Sequence, residues 1–222
     1  MDVCIPYSGF STWAENELRF ALRSIEKYFL FETVYLIGKK PSWIKNVEHI
    51  PAPDSEKCRG ANVFSKLCLC PSSEFVGWFD DHYLLKPLTE ITPHYIGPMD
   101  QIIDKKNGLY KNILVNTRNK LVELGKSTLC YDSHTPTIFT RSKLHELKSF
   151  GWGRSITYAV KSLYYNIYGP EGSYLPTAKL SLPWTEQEII EKDLTWLSSP
   201  DVLTKGIRNF LLNKFSSPSC FE

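Results

Sequence analysis

Strand-like and helix-like patterns alternate through the first 85 residues, and this alternation limits the possible folds more than any other feature of the chain. Four short apolar runs have the length and composition of strands: residues 2–8, 33–38, 47–53 and 74–79. Two segments place apolar residues at helical spacing: residues 12–29 and 61–70. The order strand-helix-strand-strand-helix-strand predicts an α/β fold in which helices flank a mostly parallel central sheet.

Capping residues and prolines predict where the elements begin and end. Thr12 and Glu15 have the spacing of a capping box, so the first helix is expected to begin there. Pro71 is expected to end the second helix. In the rest of the chain two strands are predicted, at residues 111–116 and 135–140. Further helices are predicted at four places: from Ser142, within 154–168 with Gly169 as C-cap, from Thr185 with Glu188, and from Ser199-Pro200 to about Phe215.

Several classes of protein are excluded by what the sequence lacks. No repeat, low-complexity tract or linker interrupts the 222 residues, so we expect a single domain. Neither a signal peptide nor an apolar run long enough to span a membrane is present, and six scattered cysteines suit reduced thiols in the cytoplasm. The signatures of P-loop, dinucleotide-binding, serine-hydrolase and zinc-protease sites are missing, and Cys68-Leu-Cys70 has no second pair with which to bind zinc.

Polar residues follow the first and the fourth predicted strands. Pro6, Tyr7 and Ser8 end the first strand, and Asp80-Asp81-His82 follows the fourth. Because ligands of α/β sheets bind beyond the carboxyl ends of the strands, we expect these two segments to lie close together.

The sequence Asp80-Asp81-His82 has the chemistry of a metal site. Two adjacent carboxylates repel each other unless a cation, solvent or a hydrogen-bond network compensates them. Carboxylate oxygens and an imidazole suit Mn²⁺ or Mg²⁺, more so when a diphosphate completes the coordination. The alternative is a structural turn in which an Asp side chain caps the backbone.

The segment from Phe75 to Pro87, FVGWFDDHYLLKP, resembles the D-x-D region of GT-A glycosyltransferases, here in a D-x-H form. The order of the preceding elements is also that of a GT-A nucleotide-binding half. The resemblance implies a Rossmann-like GT-A domain, with a nucleotide-sugar half at residues 1–100 and an acceptor half at residues 101–222. It also implies a Mn²⁺ or Mg²⁺ cofactor bound by Asp80, Asp81 and His82, with Asp80 also contacting the nucleotide sugar, most simply a UDP-sugar.

The same resemblance assigns the nucleotide contacts. Pro6, Tyr7 and Ser8 would line the nucleotide, with Tyr7 stacking on the base, although simple packing of the Tyr7 ring is equally consistent with the sequence. Asn62 and Lys66 share one helical face and could reach the base or phosphates, or could belong to a solvated surface.

Two later blocks resemble Stealth-type sugar-phosphate transferases: YDSHTP at residues 131–136 and the tail SCFE at residues 219–222. His134 would then be an additional metal ligand, unless it is an ordinary core or surface histidine. Asp132 would be the general base of an inverting reaction, unless it only forms a turn. Arg154, expected at a helix start, would meet a leaving diphosphate or a DNA phosphate. Trp152 would stack on a sugar or a flipped base, unless it belongs to the core.

The distribution of charge bears on the acceptor. Residues 101–185 contain twelve Lys or Arg and five Asp or Glu, a net charge of +7, whereas the rest of the chain carries −5. This asymmetry indicates either a solvated surface or a face for a polyanion. Small GT-A-like transferases of tailed phages, some of which glycosylate hydroxymethylated pyrimidines in DNA, are the group that the chain resembles in length.

Three functions therefore remain at the level of sequence. The first is a metal-dependent glycosyltransferase acting on 5-hydroxymethylpyrimidine in DNA. The second keeps the fold and transfers a sugar-1-phosphate to a polysaccharide, and the third is a non-catalytic nucleic-acid-binding module. No obligate protein partner is indicated.

Overall fold

A computed structural model describes residues 1–55, 58–153, 156–180, 183–200 and 202–222. The strands in this part of the chain are β1 (Asp2–Tyr7), β2 (Val34–Gly38), β3 (Glu48–Ile50), β4 (Glu74–Gly77), β5 (His82–Leu84), β6 (His94–Tyr95), β7 (Thr137–Thr140), β8 (Ser173–Tyr174) and β9 (Trp196–Ser198). The helices are α1 (Asn16–Tyr28), α2 (Arg59–Leu67), α3 (Met99–Ile103), α4 (Gly108–Glu123), α5 (Arg141–Glu146), α6 (Val160–Tyr168), α7 (Glu186–Glu191) and α8 (Lys205–Lys214), with a short 3-10 helix at Leu147–Phe150.

The central sheet has the strand order β3-β2-β1-β4-β7. Strands β1 to β4 are parallel, whereas β7 runs antiparallel to β4. The protein is therefore an α/β domain with a mostly parallel sheet, as the sequence predicted. The chain leaves β1 towards β2 on one side and later returns to β4 on the other, so the crevice beside β1 is a topological switch point.

Both faces of the sheet are buried, which explains why its strands read as continuous apolar runs. Along β1 the side chains alternate: Val3 and Ile5 pack with the apolar face of α1, and Cys4 packs on the opposite side with Phe64 of α2. Helices α4 and α6 contribute to the same side as α2, for example through Leu163. Five of the six cysteines are buried and Cys220 is exposed. None of the helices in the described ranges is both long and apolar enough to cross a membrane.

The start of α1 differs from the prediction. The Ser11 hydroxyl accepts hydrogen bonds from the amides of Trp13 and Glu15, at 3.1 and 2.7 Å, and Glu15 has a left-handed backbone with φ 64°. The capping box predicted at Thr12 is therefore wrong, and the helix begins at Asn16 because the preceding turn is already closed by Ser11.

Some elements in the second half of the chain also differ from the prediction. Residues 111–116 were predicted as a strand and lie inside α4, where Leu114, Thr117 and Leu121 are buried at helical spacing. A short apolar run does not distinguish a strand from a buried helix segment. The capping box between Thr185 and Glu188 is confirmed. Helix α8 begins at Lys205 after the cap Thr204 rather than at Ser199-Pro200, because Ser199 is buried beside the hydroxyl of Tyr83, at 3.1 Å.

The remaining predicted elements are closer to the structure. The strand predicted at residues 135–140 is β7, and the helix predicted from Ser142 begins one residue earlier, at Arg141. Helix α6 starts later than expected, at Val160, and is followed by Gly169, whose φ of −82° is not left-handed.

The tail at residues 215–222 packs back onto α1. Glu222 accepts hydrogen bonds from Arg19 at 2.6 Å and from two nitrogens of Arg23 at 2.6 and 2.7 Å. The ring of Phe221 is buried in the core beneath it. The SCFE block that the sequence analysis singled out therefore fixes the tail to the helix beside the central sheet.

Candidate functional site

A cleft of about 300 Å³ opens at the carboxyl edge of the central sheet. Pro6 and Ser8 line it from the end of β1, and Asp80, Asp81 and His82 line it from the segment after β4. The prediction that these two segments meet is confirmed. The other walls come from α2, from the turn before β7 and from the start of α6, so both halves of the chain contribute.

The turn after β4 is fixed by a buried tryptophan. Trp78 is fully buried and its Nε1 donates to the carbonyl of His82 at 2.9 Å. The His82 amide donates to the carbonyl of Phe79 at 3.1 Å, which closes the turn. Strand β5 then pairs with β9, placing His82 opposite Ser198. Asp81 is thereby held at the floor of the cleft.

Three side chains in this cleft could hold a metal ion: Asp81, His82 and His134. One ligand atom from each lies within 4.8 Å of the others. The Asp81 Oδ1 is 3.6 Å from His82 Nε2, and its Oδ2 accepts a hydrogen bond from the Ser198 hydroxyl at 3.0 Å. His134 has a left-handed backbone with φ 58°. Asp80, also predicted from the sequence as a metal ligand, lies outside this group although it lines the same cleft.

Both histidines of this group are neutral at pH 7. The pKa of His82 lies well below its usual range because the side chain is buried and, to a smaller extent, because of the charges of Lys161 and Lys179. Burial, Lys161 and His82 together lower the pKa of His134 to about 3. A neutral imidazole offers a lone pair to a metal. The Nδ1 of His82 is buried without a hydrogen-bond partner in the part of the chain that the structure describes, and such a group usually has a ligand or water.

Asp80 lies between two cavities. It lines the main cleft and a neighbouring cavity of about 320 Å³ that is bounded by Phe10, Glu17 and Arg59. Desolvation, followed by the negative charges of Asp81 and Glu17, raises the pKa of Asp80 to about 7, and Arg59 opposes this shift. Asp80 therefore changes charge near neutral pH.

Asp132, the predicted general base, also lines the main cleft. Its Oδ2 accepts a hydrogen bond from the hydroxyl of Tyr110, at 2.9 Å, which orients the carboxylate. Burial and the charge of Asp132 raise the pKa of that tyrosine, so Tyr110 stays a donor at neutral pH.

The residues predicted to contact the nucleotide do not all line the main cleft. Tyr7 is 1% exposed and its ring belongs to the core, so in this conformation it offers no stacking surface. Lys66 is buried and its Nζ contacts the Tyr7 carbonyl at 3.0 Å, the Ser8 hydroxyl at 2.7 Å and Asp54 Oδ1 at 2.6 Å. It lines a separate cavity beside the ends of β1 and β2. Asn62 is buried on α2.

Trp152 was predicted to stack on a sugar or base, and Arg154 to meet a phosphate. Trp152 stacks on Phe64, with ring centroids 3.8 Å apart, and its Nε1 donates to the Leu147 carbonyl at 2.8 Å. Phe64 therefore covers one face of the Trp152 ring, and the stacking role considered for Trp152 stays a prediction. Arg154 lies outside the described residues.

Several side chains that line the cleft were not predicted from the sequence, among them Phe10, Arg59, Tyr110, Lys161 and Lys179. Phe10 is 76% exposed and follows the turn at Gly9. Lys161 is buried in the first turn of α6. A lysine in the first turn of a helix is a usable signal, but the helix start had been placed several residues too early.

No protein-family model and no curated protein matches the sequence. Among solved structures, the chain is similar to the apo form of the glycosyltransferase GlyE of Streptococcus pneumoniae TIGR4, with a TM-score of 0.48 and 8% sequence identity. The match covers 97% of this chain and 60% of GlyE. A second GlyE crystal structure gives a TM-score of 0.40 at the same identity and coverage. The chain thus spans less than two thirds of the length of GlyE.

Proposed function

We propose that the protein is a metal-dependent glycosyltransferase that transfers a sugar from a nucleotide sugar, in the simplest case a UDP-sugar, to an acceptor hydroxyl. The observation that carries this proposal is the group Asp81, His82 and His134 in a cleft at the switch point of an α/β sheet. Such a crevice is where open α/β sheets bind nucleotides.

The residues present fit a divalent metal. One carboxylate oxygen and two neutral imidazoles suit Mn²⁺ better than Mg²⁺, which prefers oxygen ligands. The Ser198 hydroxyl orients Asp81, as outer-shell hydrogen bonds do in metal sites. When bound there, the metal would neutralise negative charge on the diphosphate of the donor. Asp80 would contact the donor from the neighbouring position.

The transfer itself needs a proton acceptor. In an inverting reaction the acceptor oxygen forms a bond to the anomeric carbon, while the bond from that carbon to the phosphate oxygen breaks and its electron pair leaves with the nucleoside diphosphate. Asp132 would take the proton of the acceptor hydroxyl, and Tyr110 would hold the carboxylate in place.

We further propose hydroxymethylated DNA as the acceptor. Lys105 and Lys106 are exposed just before α4, and the Lys106 Nζ is 5.8 Å from the centre of the Tyr110 ring, which lines the cleft. Cations at the mouth of the cleft would suit a phosphate backbone.

Thermal unfolding with Mn²⁺ and UDP, alone and together, tests the donor site. A ligand that binds only the folded state stabilises it by roughly 2.7 kcal/mol at 100 times its Kd, or about 5–10 °C for a chain of this size. We expect UDP to stabilise the wild type only with Mn²⁺, and Asp81→Asn and His134→Gln to lose the effect. Asp100→Asn, an exposed acid paired with Arg118, is the matched control. No shift in the wild type, or a full shift in Asp81→Asn, contradicts the proposal.

Sugar transfer to hydroxymethylated duplex DNA tests the acceptor. Transfer should fall steeply with salt and in the double variant Lys105→Gln/Lys106→Gln, because phosphate contacts are lost. If labelled sugar is transferred only to glycans, the donor site stands and the DNA acceptor is wrong.

A further inference from the structure

Lys161 is a buried lysine that forms no ion pair with any residue the structure describes. Its side chain lines the cleft, the residue is 6% exposed, and its Nζ donates to the carbonyl of Thr135 at 3.1 Å. Within the described ranges no carboxylate forms an ion pair with it. A buried charge is costly unless it is paired. The cleft therefore contains a positive group that an anionic ligand would complete.

The backbone amides next to Lys161 could also bind an anion. Helix α6 begins at Val160, and its N-cap, Ala159, has no side-chain cap. The Ala159 amide donates to the hydroxyl of Thr117 at 2.8 Å, whereas the amides of Val160 and Lys161 have no partner in the described part of the chain. Residues 158–161 all line the cleft. Unpaired amides at a helix N-terminus attract anions.

Lys161 lines the same cleft as the three candidate metal ligands. Its charge is among the causes that lower the pKa of both His82 and His134, so it acts across the same space. His82, whose buried Nδ1 has no hydrogen-bond partner among the described residues, lines this cleft as well. An anion in the cleft could therefore be contacted both by a metal and by Lys161 with the first turn of α6.

We propose that Lys161 and the first amides of α6 bind the phosphate that is attached to the sugar, the group that leaves with the nucleoside diphosphate. This assignment rests on the proposed function and adds to it a second site of charge compensation besides the metal. Negative charge accumulates on this phosphate as its bond to the sugar breaks, and a fixed cation there stabilises it.

The test compares Lys161→Met, Lys161→Arg and the control Lys148→Met, which removes the same charge from an exposed position. Calorimetric titrations would use four probes: Mn²⁺ alone, UDP with Mn²⁺, uridine, and pyrophosphate without metal. For Lys161→Met we expect UDP affinity to fall about 10- to 100-fold, the range for a lost charged hydrogen bond. Uridine affinity should not change. Mn²⁺ affinity should rise, because a repelling charge near His82 and His134 is gone.

The expected fall in UDP affinity together with a rise in Mn²⁺ affinity distinguishes this role of Lys161 from a structural one. If Lys161→Met weakens Mn²⁺ and UDP together, or binds UDP like the wild type, the assignment is overturned. Recovery of UDP affinity in Lys161→Arg supports it. If the wild type binds pyrophosphate in a Lys161-dependent way but does not bind UDP with Mn²⁺, the anion site stands and the proposed function fails. Binding of neither probe overturns both.

Discussion

The ion-pair cluster between α1 and the tail should make the stability of the fold depend on one carboxylate. Glu222 is bound by Arg19 and by the Nε and Nη2 of Arg23, and its side chain is only 9% exposed. Burial raises the pKa of Glu222, but hydrogen bonds from Arg23, the Ser219 amide and Arg19 outweigh it and lower the pKa to about 2. Replacing this carboxylate by the uncharged Gln removes the charge that the two arginines share.

The pKa gives the size of the effect. A shift from 4.5 in the unfolded chain to about 2 in the folded protein corresponds to about 3 kcal/mol at pH 7. Because the folded-state pKa is the lower one, this stabilisation is fully present above pH 5.5 and is lost as the pH falls through 4.5 towards 2. At pH 3.5 about 2 kcal/mol should remain.

Urea denaturation of the wild type and Glu222→Gln, followed by tryptophan fluorescence, measures this difference. We expect Glu222→Gln to lose about 3 kcal/mol at pH 7, and the gap to be constant down to pH 5.5 and to narrow by a third at pH 3.5. Glu123→Gln, in an exposed pair with Lys120, should change stability by less than about 1 kcal/mol. A gap below about 1 kcal/mol at pH 7, or one independent of pH, would refute the reasoning.

Three further substitutions test the sheet, the cleft mouth and the aromatic core. Gly77→Ala places a Cβ 2.7 Å from the ring of Phe139. It should lower the free energy of unfolding by about 1–3 kcal/mol in urea denaturation and weaken Mn²⁺ binding in calorimetry. Unchanged stability and unchanged Mn²⁺ affinity would contradict this. Phe10→Ala should leave the melting temperature unchanged, since the side chain is 76% exposed, and raise the KM for substrate several-fold if the ring stacks on it. Trp152→Phe should lower stability by about 1–2 kcal/mol through loss of the hydrogen bond to Leu147, with an unchanged kcat. A lower kcat at unchanged stability would instead support the stacking role of Trp152.

The parallel part of the sheet could be predicted from sequence because its strands and helices differ in length and periodicity. The runs at residues 33–38 and 74–79 are too short for helices, and α1 has a clear apolar face. The strand predicted at residues 111–116 was wrong because α4 has no clear apolar face: only Leu114, Thr117 and Leu121 are buried, while the apolar residues Leu109 and Val122 are exposed. Its helical character depends on packing against neighbouring elements, which sequence periodicity does not report.

The candidate site was predictable to the extent that its chemistry is local in sequence. Asp81 and His82 stand next to each other at a strand end, so their types and position were sufficient. Lys161 was not found because the start of its helix was predicted several residues too early, and because its burial, with no ion pair to any described residue, is a property of the folded cleft. Tyr7 shows the same limit: the sequence allowed its ring either to stack on the base or to pack, and the fold buries it in the core.

The antiparallel strand β7 explains how His134 reaches the other two ligands. Gly77 at the end of β4 pairs with Thr137 at the start of β7, so the segment after β4 lies beside the segment before β7. Asp81 and His82 are in the first of these segments and His134 is in the second, which brings residues about fifty positions apart within 4.8 Å. A parallel β7 would place its amino end at the far edge of the sheet. The direction of this one edge strand therefore decides whether the three candidate ligands meet in the cleft.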